Sequence, residues 1–309
     1  PLPLDVASVA DRIRLVQPSR ARARAATTRA VPGSSAVLPQ SGRIPLIEID
    51  ELTSGHPGGP DVLHGISLRI ARGESVALLG QNGSGKTSLA KHVVGLMRAR
   101  AGGIRVGGRP VASYGMAELS REVGYVFQNP DHQIFSETVA DEVAFGLRNL
   151  GLAQAEIGAR VGEALAAVEL AGREAEDPFA LAKGERERLA VASLLAYRPA
   201  AIFFDEPTTG LDAREAARMM AFIRGLNAGG LTVILITHAM WAAAEFAART
   251  VVMGGGRIVL DGPSREVFAR RDALADLALA PPPAADLAGR LGLDALTLAE
   301  LLAALGVAV

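Results

Sequence analysis

Short apolar runs alternate with amphipathic stretches along most of the chain. Runs of four to six residues at Leu46–Ile49, Gly65–Ile70, Ser75–Leu79, Val123–Phe127, Ala201–Phe204 and Thr232–Ile236 have the length and composition of buried strands. Helical spacing of apolar positions follows at Lys86–Met97, Glu137–Leu150, Gln154–Val168, Glu185–Ala196, Ala213–Leu226 and Met240–Ala248. Strands each followed by helices predict an α/β chain with a largely parallel sheet covered on both faces. Val251–Met253 and Arg257–Leu260, joined through Gly254, Gly255 and Gly256, predict a closing hairpin. A helix is expected after Pro263, a break at Pro281–Pro283, and a small helical tail over Asp286–Leu305.

The first 45 residues do not share this periodicity. Pro18–Pro45 is rich in Pro, Ser, Gly, Thr and Arg and is read as a linker. Its arginines are expected to be a solvated tether, with contact to phosphates or lipid headgroups as the alternative. Leu2–Asp11 (LPLDVASVAD) echoes Leu291–Glu300 (LGLDALTLAE). Either this is coincidence in Ala/Leu-rich sequence, or residues 1–15 are the tail of a preceding, similar module. On the second reading the chain is the later half of a tandem protein.

Composition narrows the setting. Apolar residues form 49% and charged residues 21% of the chain, the formal net charge is -1, and there are no cysteines. A globular chain with a proper core is expected, without disulfides, thiolate metal sites or a Cys nucleophile. Near-neutral charge gives no global pull toward nucleic acid. No apolar run approaches the roughly 18 residues that span a bilayer, since Leu293–Val309 is interrupted by Asp294 and Glu300. Residues 1–30 lack the apolar stretch of a signal peptide. The expectation is a soluble chain whose membrane role, if any, comes through a partner.

The first chemistry-bearing motif is Gly80-Gln81-Asn82-Gly83-Ser84-Gly85-Lys86-Thr87, directly after one predicted strand and directly before a helix. It fits G-x-x-x-x-G-K-[ST], in which glycines let backbone N–H groups curl around phosphates and the helix N-terminus adds partial positive charge. Lys86 is expected on the β- and γ-phosphates and Thr87 on Mg²⁺, with the adjoining Ser88 counted in the ATP-binding loop. Ala201-Ile202-Phe203-Phe204-Asp205-Glu206 is an apolar strand ending in two carboxylates, which places Asp205 beside that loop at the sheet's C-terminal edge. Asp205 is expected to hold Mg²⁺ through water, and Glu206 to polarise the attacking water as general base.

Those two motifs define a P-loop NTPase; four more segments resemble the ATP-binding cassette (ABC) ATPases. Phe127-Gln128-Asn129-Pro130 resembles the Q-loop, in which the resemblance puts Gln128 on Mg²⁺. Leu181-Ala182-Lys183-Gly184-Glu185 takes the place of the LSGGQ signature. Thr209-Gly210-Leu211-Asp212 resembles the D-loop, and Ile236-Thr237-His238 the switch histidine that contacts the γ-phosphate. The resemblance covers residues 46 to about 268 and implies a mostly parallel central sheet, an antiparallel β subdomain, a helical subdomain over about 130–200, and ATP and Mg²⁺ as cofactors. Residues 269–309 then form a C-terminal helical tail, and 1–45 the preceding tail and linker.

Val126–Gly146 (VFQNPDHQIFSETVADEVAFG) is more specific and resembles the ATPases of energy-coupling factor importers for vitamins, cobalt or nickel. That resemblance implies a second ABC ATPase module (tandem or separate), a transmembrane coupling protein, a small membrane substrate-binding protein, and a place on the cytoplasmic face of the membrane. The alternative weighed against it is a soluble ABC ATPase acting on nucleic acid or ribosomes. Repair-type versions insert long coiled coils between P-loop and signature, whereas that interval here is roughly 95 residues without sustained heptads.

Two departures from the family pattern stand out. His56 stands about where an aromatic usually stacks on adenine, and offers less area. The signature has Ala182 for Ser and Lys183 for Gly. The resemblance implies that this segment contacts the γ-phosphate bound to the opposite subunit, so losing the Ser hydroxyl removes a hydrogen bond to a charged group, about 1.5–3 kcal/mol. The Lys183 charge either offsets that loss or clashes. An asymmetric pair of sites is therefore expected, the site built on Lys86 being complete.

Overall fold

The computed structural model describes residues 45–55 and 58–307. His56, and the expected preceding tail and linker up to residue 44, lie outside the described residues. Two sheets build the body. Strands β1 (Pro45–Gly55), β2 (Asp61–Ala71), β4 (Ala101–Val106) and β5 (Arg109–Pro110) form an antiparallel sheet in the order β2-β1-β4-β5. Strands β3 (Ser75–Gly80), β6 (Val123–Val126), β7 (Ala201–Asp205), β8 (Thr232–Ile236), β9 (Arg249–Gly254) and β10 (Arg257–Pro263) form the second, in the order β10-β9-β3-β8-β7-β6. The latter is parallel except for the β9–β10 hairpin. In the hairpin Gly255 and Gly256 take positive φ, the conformation a tight turn demands.

Strand periodicity distributes side chains to two separate cores. On one face Val76, Leu78, Phe203, Ile234, Ile236 and Val251 pack with Ile47, Ile49 and Leu52 of the antiparallel sheet and with Leu89 and Val93 of α1 (Lys86–Val93). On the other, Ala77, Leu79, Ile202, Phe204, Val233, Leu235 and Val252 meet Met219, Met220 and Ile223 of α6 (Ala213–Ala228) and Phe246 of α7 (Met240–Phe246). Each such fully buried side chain contributes about 1.5–3 kcal/mol of transfer free energy. Because both faces are covered, these strands read as continuous apolar runs.

A short helix α2 (Met116–Leu119) precedes β6. Helices α3 (Val139–Asn149), α4 (Gln154–Ala167) and α5 (Lys183–Leu195) form a layer with its own core of Val139, Val143, Leu147, Ile157, Val161, Leu165 and Leu189. Thr138 caps α3 by accepting from the Asp141 N–H at 3.0 Å. After α8 (Ser264–Ala269) and α9 (Arg271–Asp276) come α10 (Pro283–Leu291) and α11 (Leu298–Ala304), which enclose Ala288, Ala295 and Leu301. Arg265 ties this tail back through Asp294 at 2.8 Å and Glu300 at 3.0 Å.

The expected helix over Lys86–Met97 stops at Val93. Gly95 takes φ 76 and the N–H groups of Leu96 and Met97 return to the Lys91 carbonyl, a C-terminal cap hidden inside an apolar run. The signature helix begins two residues earlier than expected, at Lys183, because Glu185 acts as its third residue and accepts from the Ala182 N–H at 2.8 Å. Ala182 has no hydroxyl to complete the reciprocal bond.

Candidate active site

The loop Gln81–Gly85 joins β3 to α1 at the C-terminal edge of the parallel sheet, where β3 lies between β8 and β9. The glycines of the motif answer to geometry. Gly80 has φ 152, and a Cβ there would stand 2.4 Å from the Met253 carbonyl oxygen; Gly85 has φ 101, and a Cβ would stand 2.7 Å from Leu63 Cδ2. Only residues without a side chain let the loop close this tightly. Lys86 is buried and its Nζ donates to the carbonyl oxygens of Gly80 at 2.8 Å and Gln81 at 2.9 Å. Burial lowers the Lys86 pKa from its usual value, and the Glu206 and Asp205 carboxylates oppose that shift.

Asp205 ends β7, Glu206 follows it, and both are buried. The Thr87 hydroxyl donates to Asp205 Oδ2 at 2.9 Å, and the Tyr125 hydroxyl donates to the same oxygen. Burial first, then the hydrogen bond to Asp205, pushes the Tyr125 hydroxyl far above its ordinary value, so it stays a neutral donor. Glu206 sits at φ 52, a left-handed conformation uncommon for a residue with a Cβ. Its N–H bonds the Ile236 carbonyl at 2.8 Å. Its two carboxylate oxygens are shared between Thr237 Oγ1 at 3.1 Å and His238 Nδ1 at 2.6 Å. The Glu206 side chain is 10% exposed and that of His238 62% exposed, so the pair runs from the interior to the open cleft.

One cleft of about 550 Å³ gathers Asn82, Gly83, Gly85, Lys86, Thr87, Ser88, Gln128, Asp205, Glu206 and His238, with Val62 from β2 as its apolar wall. That volume falls in the range of small-molecule sites. Within this loop Ser84 Oγ is buried without a hydrogen-bond partner, an orphaned polar atom that a phosphate oxygen could satisfy. The donor set is hard oxygen, from Thr87 and Asp205, with Gln128 on the same wall. Among the described residues no group of three or more His, Cys, Asp or Glu could hold a metal by itself. The hard-oxygen donors Thr87 and Asp205 fit Mg²⁺, which keeps waters and takes substrate phosphates as ligands.

The signature does not join this cleft. Leu181 is buried, while Ala182, Gly184 and Glu185 line a separate groove with Leu211 and Glu215. Lys183 reaches the Thr209 carbonyl, and Asp212 caps α6 by accepting from the N–H groups of Arg214 and Glu215 at 2.8 Å each. Sequence reasoning missed Tyr125 and Thr237 as supports of the two carboxylates. Thr237 directly precedes the switch histidine, which could have marked it; nothing in the sequence ties Tyr125 to Asp205.

The ABC transporter family model matches residues 63–209. The energy-coupling factor transporter ATP-binding protein EcfA of Methanothermobacter thermautotrophicus is 39% identical over 249 residues, 80% of this chain and 80% of its own length. The solved structure of cbiO1 from Clostridium perfringens, part of the ABC transporter complex cbiONQ, superposes with a TM-score of 0.68 at 32% identity, covering 76% of this chain and 95% of that one. A provisionally named ABC transporter ATP-binding protein of Caldanaerobacter subterraneus subsp. tengcongensis is 48% identical over 256 residues, 83% of this chain but 45% of its own length. The fold and site define a P-loop NTPase of the cassette type. The chain belongs to the ATP-binding cassette transporter ATPases, and its relatives include energy-coupling factor ATPases. It spans less than half the length of several curated relatives it matches.

Proposed function

We propose that this chain is the ATP-hydrolysing cassette of an energy-coupling factor type importer for a vitamin or transition-metal ion, held at the cytoplasmic face of the membrane by partner proteins. The convergence of Lys86, Thr87, Asp205, Glu206, Gln128 and His238 on one cleft carries the hydrolytic part of the reading. Lys86 would leave the loop carbonyls to neutralise the β- and γ-phosphates, and the loop N–H groups would cradle them. Thr87 and Asp205 would hold Mg²⁺, with Gln128 within the same wall; when bound, the ion neutralises charge on the phosphates. Glu206, gripped by Thr237 and His238, accepts the proton of the attacking water, and His238 stands at the open mouth for the γ-phosphate. Glu206→Gln keeps the shape and removes the base, so steady-state ATP turnover should fall by about 10²–10⁴-fold. Turnover above a tenth of wild type would remove Glu206 from that role.

Kinship with EcfA and cbiO1 supports the importer, as does the surface that follows Gln128. Phe135 and Phe145, 61% and 44% exposed, stack edge-to-face with centroids 4.7 Å apart. Paired exposed aromatics are costly to leave in water and suit an interface with a transmembrane coupling protein. Among the described residues no helix is long and apolar enough to cross a membrane. The half-length match to several relatives, which leaves them room for a second cassette, supports a tandem partner module. Tagged purification from detergent-solubilised membranes should recover a transmembrane coupling protein and a small membrane binder. Recovery of ribosomal or nucleic-acid partners alone would overturn the transport reading and leave the ATPase in place.

A further inference from the structure

Lys183 stands where the family pattern has a signature glycine, and its side chain turns back into its own chain. Nζ donates to the Thr209 carbonyl at 2.9 Å. A Cβ on Gly210, which has φ 77, would stand 2.3 Å from that ammonium, so the contact depends on a bare turn beneath it. The Thr209 N–H in turn bonds the Glu206 carbonyl at 3.1 Å, and the Glu206 N–H bonds Ile236 at 2.8 Å. Thr209, whose carbonyl Lys183 grips, is therefore one hydrogen bond from the strained backbone of Glu206. From the same turn of α5, Arg186 Nε pairs with Asp131 at 2.7 Å, just beyond Gln128. The head of the signature helix is thus tied at once to the segment after Gln128 and to the turn after Glu206.

We infer that Lys183 is a positioning residue for this chain's own ATP site: it fastens the signature helix to the 206–210 turn and so sets the Glu206 carboxylate, instead of reaching a nucleotide bound to the partner cassette. A glycine at this position could make no such link. The chemistry is that of a charged hydrogen bond to a peptide carbonyl, stronger than a neutral one and directional enough to fix a turn. The inference rests on Glu206 being the base, which the Glu206→Gln variant tests on its own.

The experiment uses the full-length protein with its partner cassette and compares Lys183→Gly, Lys183→Met and Lys183→Arg. Loss of the ammonium in the Gly and Met variants should lower kcat for ATP about tenfold, the weight of one charged hydrogen bond. KM should stay within about twofold, because the nucleotide's own contacts are untouched. Lys183→Arg, whose guanidinium reaches the same carbonyl, should restore kcat to within about twofold, which a mere loss of helix stability would not allow. Retention of labelled ATP through rapid gel filtration then separates the two directions in which Lys183 can act. In the Glu206→Gln background, adding Lys183→Gly should leave retention unchanged. A matching loss of retained ATP would show that Lys183 holds the partner's nucleotide and would overturn the inference, as would an unchanged kcat in Lys183→Gly or a failure of Lys183→Arg to rescue.

Discussion

At the scale of single residues, one buried acid outside the cleft sets a pH dependence. Glu187 on α5 is 6% exposed, and its Oε2 has no hydrogen-bond partner. Burial pushes its carboxyl up to about 7 from an ordinary 4.5, against the pull of the nearby Lys183 and Arg186 charges and with the push of Glu215. An acid with a raised pKa in the folded state holds its proton there longer than when unfolded. Its contribution to stability is therefore greatest below pH 4.5 and is lost as pH rises through 7, by about 3 kcal/mol at most. Glu187→Gln is neutral at every pH and escapes that loss. Thermal unfolding of the variant and the wild type should show a larger gain for the variant at pH 8.5 than at pH 5. Equal differences at both pH values would mean that Glu187 does not titrate in this range. Comparing two pH values cancels whatever the substitution does to packing.

At the scale of elements, what could be read in advance divides along physical lines. Strands β3, β7 and β8 were legible because burial on both faces makes them unbroken apolar runs between turn residues. The P-loop, Asp205, Glu206 and His238 were legible because each directly follows such a strand, where chain geometry alone places them at one sheet edge. The strands β4 and β5 and the helix α2 were not expected. β4 reads Ala101-Gly102-Gly103-Ile104-Arg105-Val106, too polar and too rich in glycine to look like a strand. Gly102 is there because β1 passes closely: a Cβ on it would stand 2.4 Å from the Asp50 and Glu51 carbonyl oxygens. A partner strand some 50 residues away supplies the reason, and no local pattern carries it. Tyr125 was opaque for the same cause, since its hydroxyl meets a carboxylate 80 positions later. The direction of Lys183 was equally hidden. The signature pattern marks the residue as unusual, but only the fold shows that the Thr209–Gly210 turn lies within its reach.

At the scale of the whole molecule, the described residues build three large cores, and the ligand would touch parts of the structure built on two of them. The Gln81–Gly85 loop rests on the core shared with the antiparallel sheet, while Asp205 ends, and Glu206 directly follows, a strand that also faces the core under α6 and α7. The helical layer of α3, α4 and α5 has its own core, α5 also sends Val191 into the core under α6, and polar links at Asp131 and Thr209 hold the head of α5. A nucleotide that binds only the folded chain stabilises it by mass action, about 2.7 kcal/mol at a ligand concentration one hundred times Kd. For a chain of this size that is a rise of about 4 °C in the unfolding midpoint. The Glu206→Gln variant, which should keep its ATP, is the form in which to measure it. ATP with Mg²⁺ should give the full shift there, and Lys86→Ala added to the same background should abolish most of it. Among the described residues Lys86 is the one ammonium lining the cleft, and without it the phosphates lose their cationic partner while the loop carbonyls of Gly80 and Gln81 lose their donor. The second loss destabilises the variant with or without nucleotide, so the informative quantity is the ATP-dependent shift and not the midpoint itself. A shift that survives in Lys86→Ala would place the nucleotide's phosphates away from this loop, and the assignment of Asp205, Glu206 and His238 would fall with it.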